Sequence, residues 1–287
     1  MSIVAPSFAR LQELVADEPR RIKDNHEMVT TYYALVNDLY RAGWGESHHF
    51  PPLHAGETLA AAATRTEQEL ADRAGLTAGS TALDIGCGVG GPALTIARHS
   101  GAHVTGIDLS PVRIACAKER AADAPVFFLE ADACRLPLAD CSFDACYSLE
   151  AICHVPDKQR VHEEALRVLR PGGWYVGRDW LAADGLTTAR YTQSVEPVCR
   201  LHGIPALDSP RTLRYRLEQA GFTGVQVTAG EDGPDMERTW DLLEESLGYA
   251  AGIDDPLVSF MAKGGAALVA AARSGDFLIG SWSARKT

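Results

Sequence analysis

The chain has 287 residues, 46% hydrophobic and 23% charged, which suits one substantial folded core and argues against a largely disordered chain. A formal net charge of -11 repels phosphate backbones and anionic headgroups, so nucleic acid and membrane surfaces are poor partners. No apolar run is long enough to cross a bilayer and no leader pattern opens the chain. Seven cysteines lie at irregular spacing without a CxxC pair, so a reducing, cytoplasmic setting is expected.

In chain order, residues 1–78 read as a helical N-terminal segment. From Glu27 to Leu39, Met28, Tyr32, Leu35, Val36 and Leu39 recur at helical spacing and form one apolar stripe. GWGESHHFPPL then breaks the helix, and a second helix is expected from Glu57 to Ala74. This segment is expected to act as a lid, with its stripe offering a route to a homo-oligomer.

Residues 79–287 read as the core. TALDIG, HVTGID, VFFLEAD, FDACYSLE and GWYVGRDW are strands separated by helices GGPALTIARHS, SPVRIACAKERAAD and KQRVHEEALRVL. Ser110 is a natural N-cap, with Pro111 at the first helical position. Helices near 186–202 and 209–220 follow, then strands TGVQVTA and FLIGSWSARK. Between those strands, around 233–275, MERTWDLLEESLGYA and LVSFMAKGGAALVAAAR read as a helical cap over a substrate pocket. Strand–helix alternation of this kind predicts a parallel sheet with helices on both faces.

LDIGCGVGG, Leu83 to Gly91, carries the sharpest chemical signal. A strand entering glycines and then a helix allows a tight turn and close approach of a ligand to the backbone. Asp108 ends the next strand, where a carboxylate can accept hydrogen bonds from both hydroxyls of a ribose. Asp132 ends the third strand, within reach of an adenine amino group, and Ala133 follows with a backbone amide. Nine histidines show no HExxH or similar spacing, and no metal site is expected.

LDIGCGVGG, GIDLS, EADACRLPLADCSFD and VLRPGGWYV, taken in order, resemble the motif set of class I S-adenosylmethionine (SAM)-dependent methyltransferases. The resemblance covers about residues 78–182. It implies an α/β fold, with a Rossmann-like seven-stranded sheet, and SAM as cofactor with S-adenosylhomocysteine as product. The implied cofactor residues are Gly86, Cys87, Gly88, Asp108, Leu109, Asp132, Ala133 and Leu149. YYALVNDLYRAGWGESHHF, CYSLEAICHVPDK, GRDWLA and DSPRTLRYRLEQAGF are similar to segments of the sterol C-methyltransferases. The implied branch includes bacterial C-methyltransferases of terpenoid and prenyl side chains, the teleocidin type among them.

An alkene is a weak nucleophile that must be held in line, close and dry, and its methylation leaves a carbocation. Aromatic faces stabilise such a cation without trapping it. Tyr32, Tyr33, Tyr40, Trp44, Phe50, Trp174 and Trp180 are the candidates for a hydrophobic substrate pocket, with His49 beside them. Glu150 and His154, just past the fourth strand, are the candidates for base or cation stabiliser. If the acceptor carries a diphosphate, Arg20, Arg21, Lys23, Arg178 and Arg200 are the cations available to clamp it. The alternatives are an O- or N-methyltransferase of small natural products, in which Glu150 or His154 takes a hydroxyl or amine proton, and a catalytically silent SAM-binding subunit.

Overall fold

The computed structural model describes residues 7–121, 124–230, 233–250 and 252–287. Its centre is a seven-stranded sheet: β1 (Thr81–Ile85), β2 (His103–Asp108), β3 (Val126–Glu130), β4 (Phe143–Leu149), β5 (Leu169–Ala182), β6 (Thr223–Ala229) and β7 (Phe277–Arg285). The spatial order is β3-β2-β1-β4-β5-β7-β6. The first five strands are parallel, whereas β7 runs antiparallel to both β5 and β6, so the sheet is mixed rather than all-parallel. The segment between β6 and β7 leaves and returns at the same end of the sheet, with Ala229 opposite Gly280, so β7 runs back beside β6.

Period-two alternation divides the core. Ala82, Val104, Phe128, Ala145 and Val176 face one side, where they meet α4 (Leu59–Arg73), α5 (Gly91–Ser100) and α6 (Pro111–Ala121). Leu83, Ile85, Cys146 and Tyr175 face the other, against α7 (Lys158–Val168) and α10 (Pro210–Ala220). On this second face Tyr175 stacks on Phe222 and meets the edge of Trp282. Side chains of this size, fully buried, each contribute about 1.5–3 kcal/mol over leaving them in water.

Two further clusters lie beyond the carboxyl ends of the strands. α1 (Phe8–Leu14), α2 (Glu18–Lys23) and α3 (Asn25–Trp44) form the N-terminal segment, in which Leu11, Leu14, Met28, Tyr32 and Val36 pack together with Leu201 and Phe260. Arg21 is fully buried and ties this segment down. Its guanidinium donates to the Val15 carbonyl and to Glu196, with Nη2 2.6 Å from Oε2. The fourth cluster joins Trp180, Met236, Trp240, Leu268 and Phe277, bringing α11 (Gly233–Ala250) and α12 (Pro256–Arg273) down on the end of β5.

Some boundaries differ from the sequence reading. The α3 helix is longer at both ends than the stripe alone suggested. The helix expected over 186–202 is two helices, α8 (Thr188–Ser194) and α9 (Glu196–His202), with Pro197 in the first turn of the second. Pairing of β4 with β5 jumps from Phe143↔Leu169 to Ala145↔Trp174, so the Pro171-Gly172-Gly173 turn is looped out inside β5. Ala122 and Asp123, the expected end of the helix after Ser110, lie outside the described residues.

Candidate active site

Two cavities meet above the carboxyl ends of β1, β2, β4 and β5, where ligands of open α/β sheets bind. The first, about 350 Å³, is lined by all eight residues expected to hold the cofactor: Gly86, Cys87, Gly88, Asp108, Leu109, Asp132, Ala133 and Leu149. The local backbone explains why. Gly86 has φ +81°, and a Cβ on it would come 2.2 Å from the Cβ of Ala151; Gly88 has φ +55°, and a Cβ there would collide with the Arg113 guanidinium. Asp108 then holds the loop: Oδ2 accepts from Gly88 N at 3.0 Å and Oδ1 from Ser110 N at 2.8 Å. Its carboxylate keeps further acceptor capacity for a ribose. Asp132 Oδ1 accepts from Cys134 N, which fixes a second carboxylate in the lining of the same cavity. A cradle that only glycine permits, with two carboxylates in the lining of its cavity, fits SAM.

The second cavity, about 270 Å³, is mostly apolar. Tyr32, Tyr33 and Tyr40 come from α3 and Trp44 from its last turn. Phe50 comes from the loop that follows, Trp180 from β5, and Leu243, Leu247, Val258 and Met261 from the cap helices. The aromatic rings hold one another: Phe50 lies 5.1 Å from Trp44, 5.6 Å from Trp180 and 5.2 Å from Trp240. Tyr32 and Tyr40 share a hydroxyl–hydroxyl hydrogen bond of 3.0 Å.

Five residues line both cavities and so form the wall between them: Tyr33, His48, His49, Glu150 and His154. Glu150 is buried and adopts the left-handed φ of +51°, unusual for a non-glycine and typical of a residue held in place for a site. Its Oε1 accepts from Phe50 N at 2.8 Å and its Oε2 from the Trp180 indole N–H at 2.6 Å. Burial pushes its pKa up, while nearby His49 and these two donors pull the other way.

His154 is oriented at both ring nitrogens. Nδ1 lies 3.1 Å from the Gly203 carbonyl, so it carries the proton, and Nε2 therefore accepts from the Tyr33 hydroxyl at 3.0 Å. Burial lowers its pKa to about 4, so the ring is neutral at physiological pH. His48 is likewise pulled down to about 3, by burial first and by Arg113 second. His49 is buried against Glu67, with Nε2 3.2 Å from Oε1.

The sequence reading placed His49 among the aromatic residues; it belongs to the wall. Trp174 is a correction: it sits at the opposite end of β5, under the Arg285 guanidinium and beside Gly75. The five cations proposed to clamp a phosphate are another, since neither cavity counts Arg20, Arg21, Lys23, Arg178 or Arg200 among its described lining residues. Arg21 is committed to Glu196, and Arg178 reaches Ser281.

Arg113 was missed. It is buried, stacks 4.1 Å over the Tyr33 ring, donates to His48 Nδ1 and lies 4.0 Å from Asp108. An arginine one turn into a helix gives no signal by itself in sequence. Glu67, in the middle of α4 and fully buried, was missed for the same reason. Among the described residues, no group of three or more His, Cys, Asp or Glu could hold a metal ion, and no helix is long and apolar enough to cross a membrane.

Comparison with known proteins agrees with this geometry. Residues 83–177 match the family model described as Methyltransferase domain. A sterol 24-C-methyltransferase of Eremothecium gossypii is 35% identical over 226 residues, 77% of this chain and 60% of that enzyme. A cycloartenol-C-24-methyltransferase of Arabidopsis thaliana is 35% identical over 76% of this chain and 67% of that enzyme. Among solved structures, a geranyl diphosphate C-methyltransferase from Streptomyces coelicolor A3(2) superposes with a TM-score of 0.71 at 20% identity, over 92% of this chain and 99% of that one. That structure holds magnesium, geranyl diphosphate and S-adenosylhomocysteine, and at this identity the likeness is one of fold.

Proposed function

Because the chain belongs to the class I SAM-dependent methyltransferases, on the branch of the sterol C-methyltransferases, we propose that it methylates an alkene carbon of a terpenoid or prenylated natural product. The observation that carries the reading is the shared wall: Tyr33, His48, His49, Glu150 and His154 line both a cofactor-shaped cavity and an aromatic one. SAM, when bound, supplies an electrophilic methyl group. Gly86, Gly88 and Asp108 would hold it, with Asp132 at the adenine end.

The remaining work belongs to this chain's own side chains. Tyr32, Tyr40, Trp44, Phe50 and Trp180 enclose an apolar acceptor and exclude water, which favours close, in-line approach of an alkene. Their ring faces then stabilise the positive charge that develops on the acceptor. Glu150, fixed by two N–H donors, presents a buried negative charge on the same wall.

Two features narrow the acceptor. A cavity of about 270 Å³ lies at the small end of ligand pockets, typically about 300–1,000 Å³, which favours a prenyl-sized group over a four-ring sterol. The described lining of that cavity includes no lysine or arginine, which favours a neutral prenylated acceptor over a diphosphate.

The test is to incubate the protein with methyl-labelled SAM and a panel of neutral prenylated acceptors and prenyl diphosphates, then locate the label by mass spectrometry and NMR. Label on an alkene-derived carbon is expected. Label on oxygen or nitrogen defeats the reading in favour of a small-molecule O- or N-methyltransferase. Failure to transfer to any acceptor, with SAM still bound, would point to a silent SAM-binding subunit.

A further inference from the structure

Methylation of an alkene ends with loss of a proton, and Glu150 is an awkward sink for it. Both of its oxygens already accept from N–H donors, which stabilise the carboxylate against the raising effect of burial. A different group on the wall is arranged as a base. His49 is only 2% exposed, yet it lines both cavities. Its Nε2 faces Glu67 Oε1 at 3.2 Å, and a carboxylate oxygen can only accept, so the ring proton sits on Nε2. That leaves the lone pair on Nδ1, a buried atom with no hydrogen-bond partner.

The supports of this arrangement come from separate elements. Glu67 is fully buried in the middle of α4. The Trp44 indole donates to the His49 carbonyl at 2.9 Å, and the N–H of the next residue, Phe50, is bonded to Glu150. The His49 backbone is therefore pinned on both sides, and its ring is turned by a carboxylate, as in hydrolytic sites where an acid holds a histidine in the basic tautomer.

Resting on the function proposed above, we propose that His49 takes up the proton released by the methylated acceptor, with Glu67 as its positioning residue. The C–H electron pair beside the cationic carbon becomes the new π bond, and the proton passes to His49 Nδ1. The imidazolium so formed is balanced by the Glu67 carboxylate, and Glu150 stays ionised as the electrostatic partner of the cation. No other atom changes hands.

The experiment compares wild type with His49→Gln and Glu67→Gln, using the acceptor identified in the labelling assay, and measures SAM affinity, kcat, KM and products together. Glu67→Gln keeps an oxygen that can accept from Nε2 and removes the charge. It is expected to lower kcat about 10- to 100-fold with KM and SAM affinity within about threefold. His49→Gln is expected to divert product from the methylated alkene to a water-captured alcohol of the same carbon skeleton, and added imidazole should restore the alkene in His49→Gly. A merely structural role would lower stability and affinity without changing the product ratio. If both glutamine variants keep kcat and alkene fraction within about twofold of wild type, the proposal is overturned. Nitrogen-15 NMR of the histidine rings needs no acceptor and gives a separate check. A proton on Nδ1 of His49 defeats the dyad even if the methylated atom proves to be oxygen, whereas a bare Nδ1 that changes in Glu67→Gln supports it.

Discussion

The two cavities are built in opposite ways. The cofactor cavity rests on short runs at the ends of adjacent parallel strands, a glycine loop after β1, Asp108 at the end of β2, Asp132 after β3 and Leu149 at the end of β4, with residues of α3 and the loop after it completing its lining. Each run is local, and its backbone conformation is fixed within a few residues. The aromatic cavity has no such run. It is assembled from α3, the loop after it, β5, the end of α9 and both cap helices, and its shape depends on how those pieces pack. A site of the first kind should fail abruptly when one backbone position is altered. A site of the second kind should change gradually in size and preference.

Substitutions test that contrast. The largest effect is expected from Gly86→Ala, which puts a side chain on a left-handed residue facing Ala151. Calorimetry should show at least a hundredfold loss of S-adenosylhomocysteine affinity, while the aromatic cavity still binds an apolar fluorescent probe. Unchanged cofactor affinity would break the comparison. Next comes Glu150→Gln, which removes a buried charge from the wall shared by both cavities. It should lower kcat about a hundredfold or more with S-adenosylhomocysteine affinity within threefold. Equal loss of cofactor affinity would make Glu150 a cofactor ligand instead.

Leu247→Ala, on the cap side of the aromatic cavity, should act more gently. It should shift preference a few-fold toward a longer prenyl chain and leave cofactor binding alone. Its size-selective effect is read by competing two acceptors of different length in one reaction.

The smallest effect concerns pH and the wall. Burial lowers His154 to about 4 and His48 to about 3, against about 6.5 for a free ring. Groups depressed in the fold contribute stability that is fully present above pH 6.5 and is lost as pH falls toward 4. Asp179 runs the other way: burial raises it to about 7, so its contribution is lost as pH rises from about 4 through 7. A difference experiment isolates the histidine. The melting-temperature gap between wild type and His154→Gln should narrow as pH is taken from 7 to 5, and a constant gap would contradict a neutral, buried His154.

Legibility in the sequence follows the same division. The eight residues expected to hold the cofactor line one cavity, because glycine spacing and strand-end carboxylates are local signals. The seven strands were readable from alternation, but the antiparallel entry of β7 was not, since periodicity does not show at which end of the sheet the segment between β6 and β7 returns. Among the aromatics, Tyr32, Tyr33, Tyr40, Trp44, Phe50 and Trp180 do gather in one place. Trp174 does not, because it lies six residues earlier in β5, away from the carboxyl end that Trp180 approaches. Arg113, His48 and Glu67 were opaque as site residues, since a charged group inside a helix or loop reads as solvated surface until a neighbouring element is seen to bury it.

The sequence by itself determined a glycine-turned loop at the rim of a buried sheet, because backbone sterics and strand periodicity act over a handful of residues. Only the tertiary structure decided which titratable groups share the wall and which atom of His49 is left bare. Those outcomes depend on α3, α4 and the end of β4 arriving at one point, and burial rather than spacing sets the charge of what they bring.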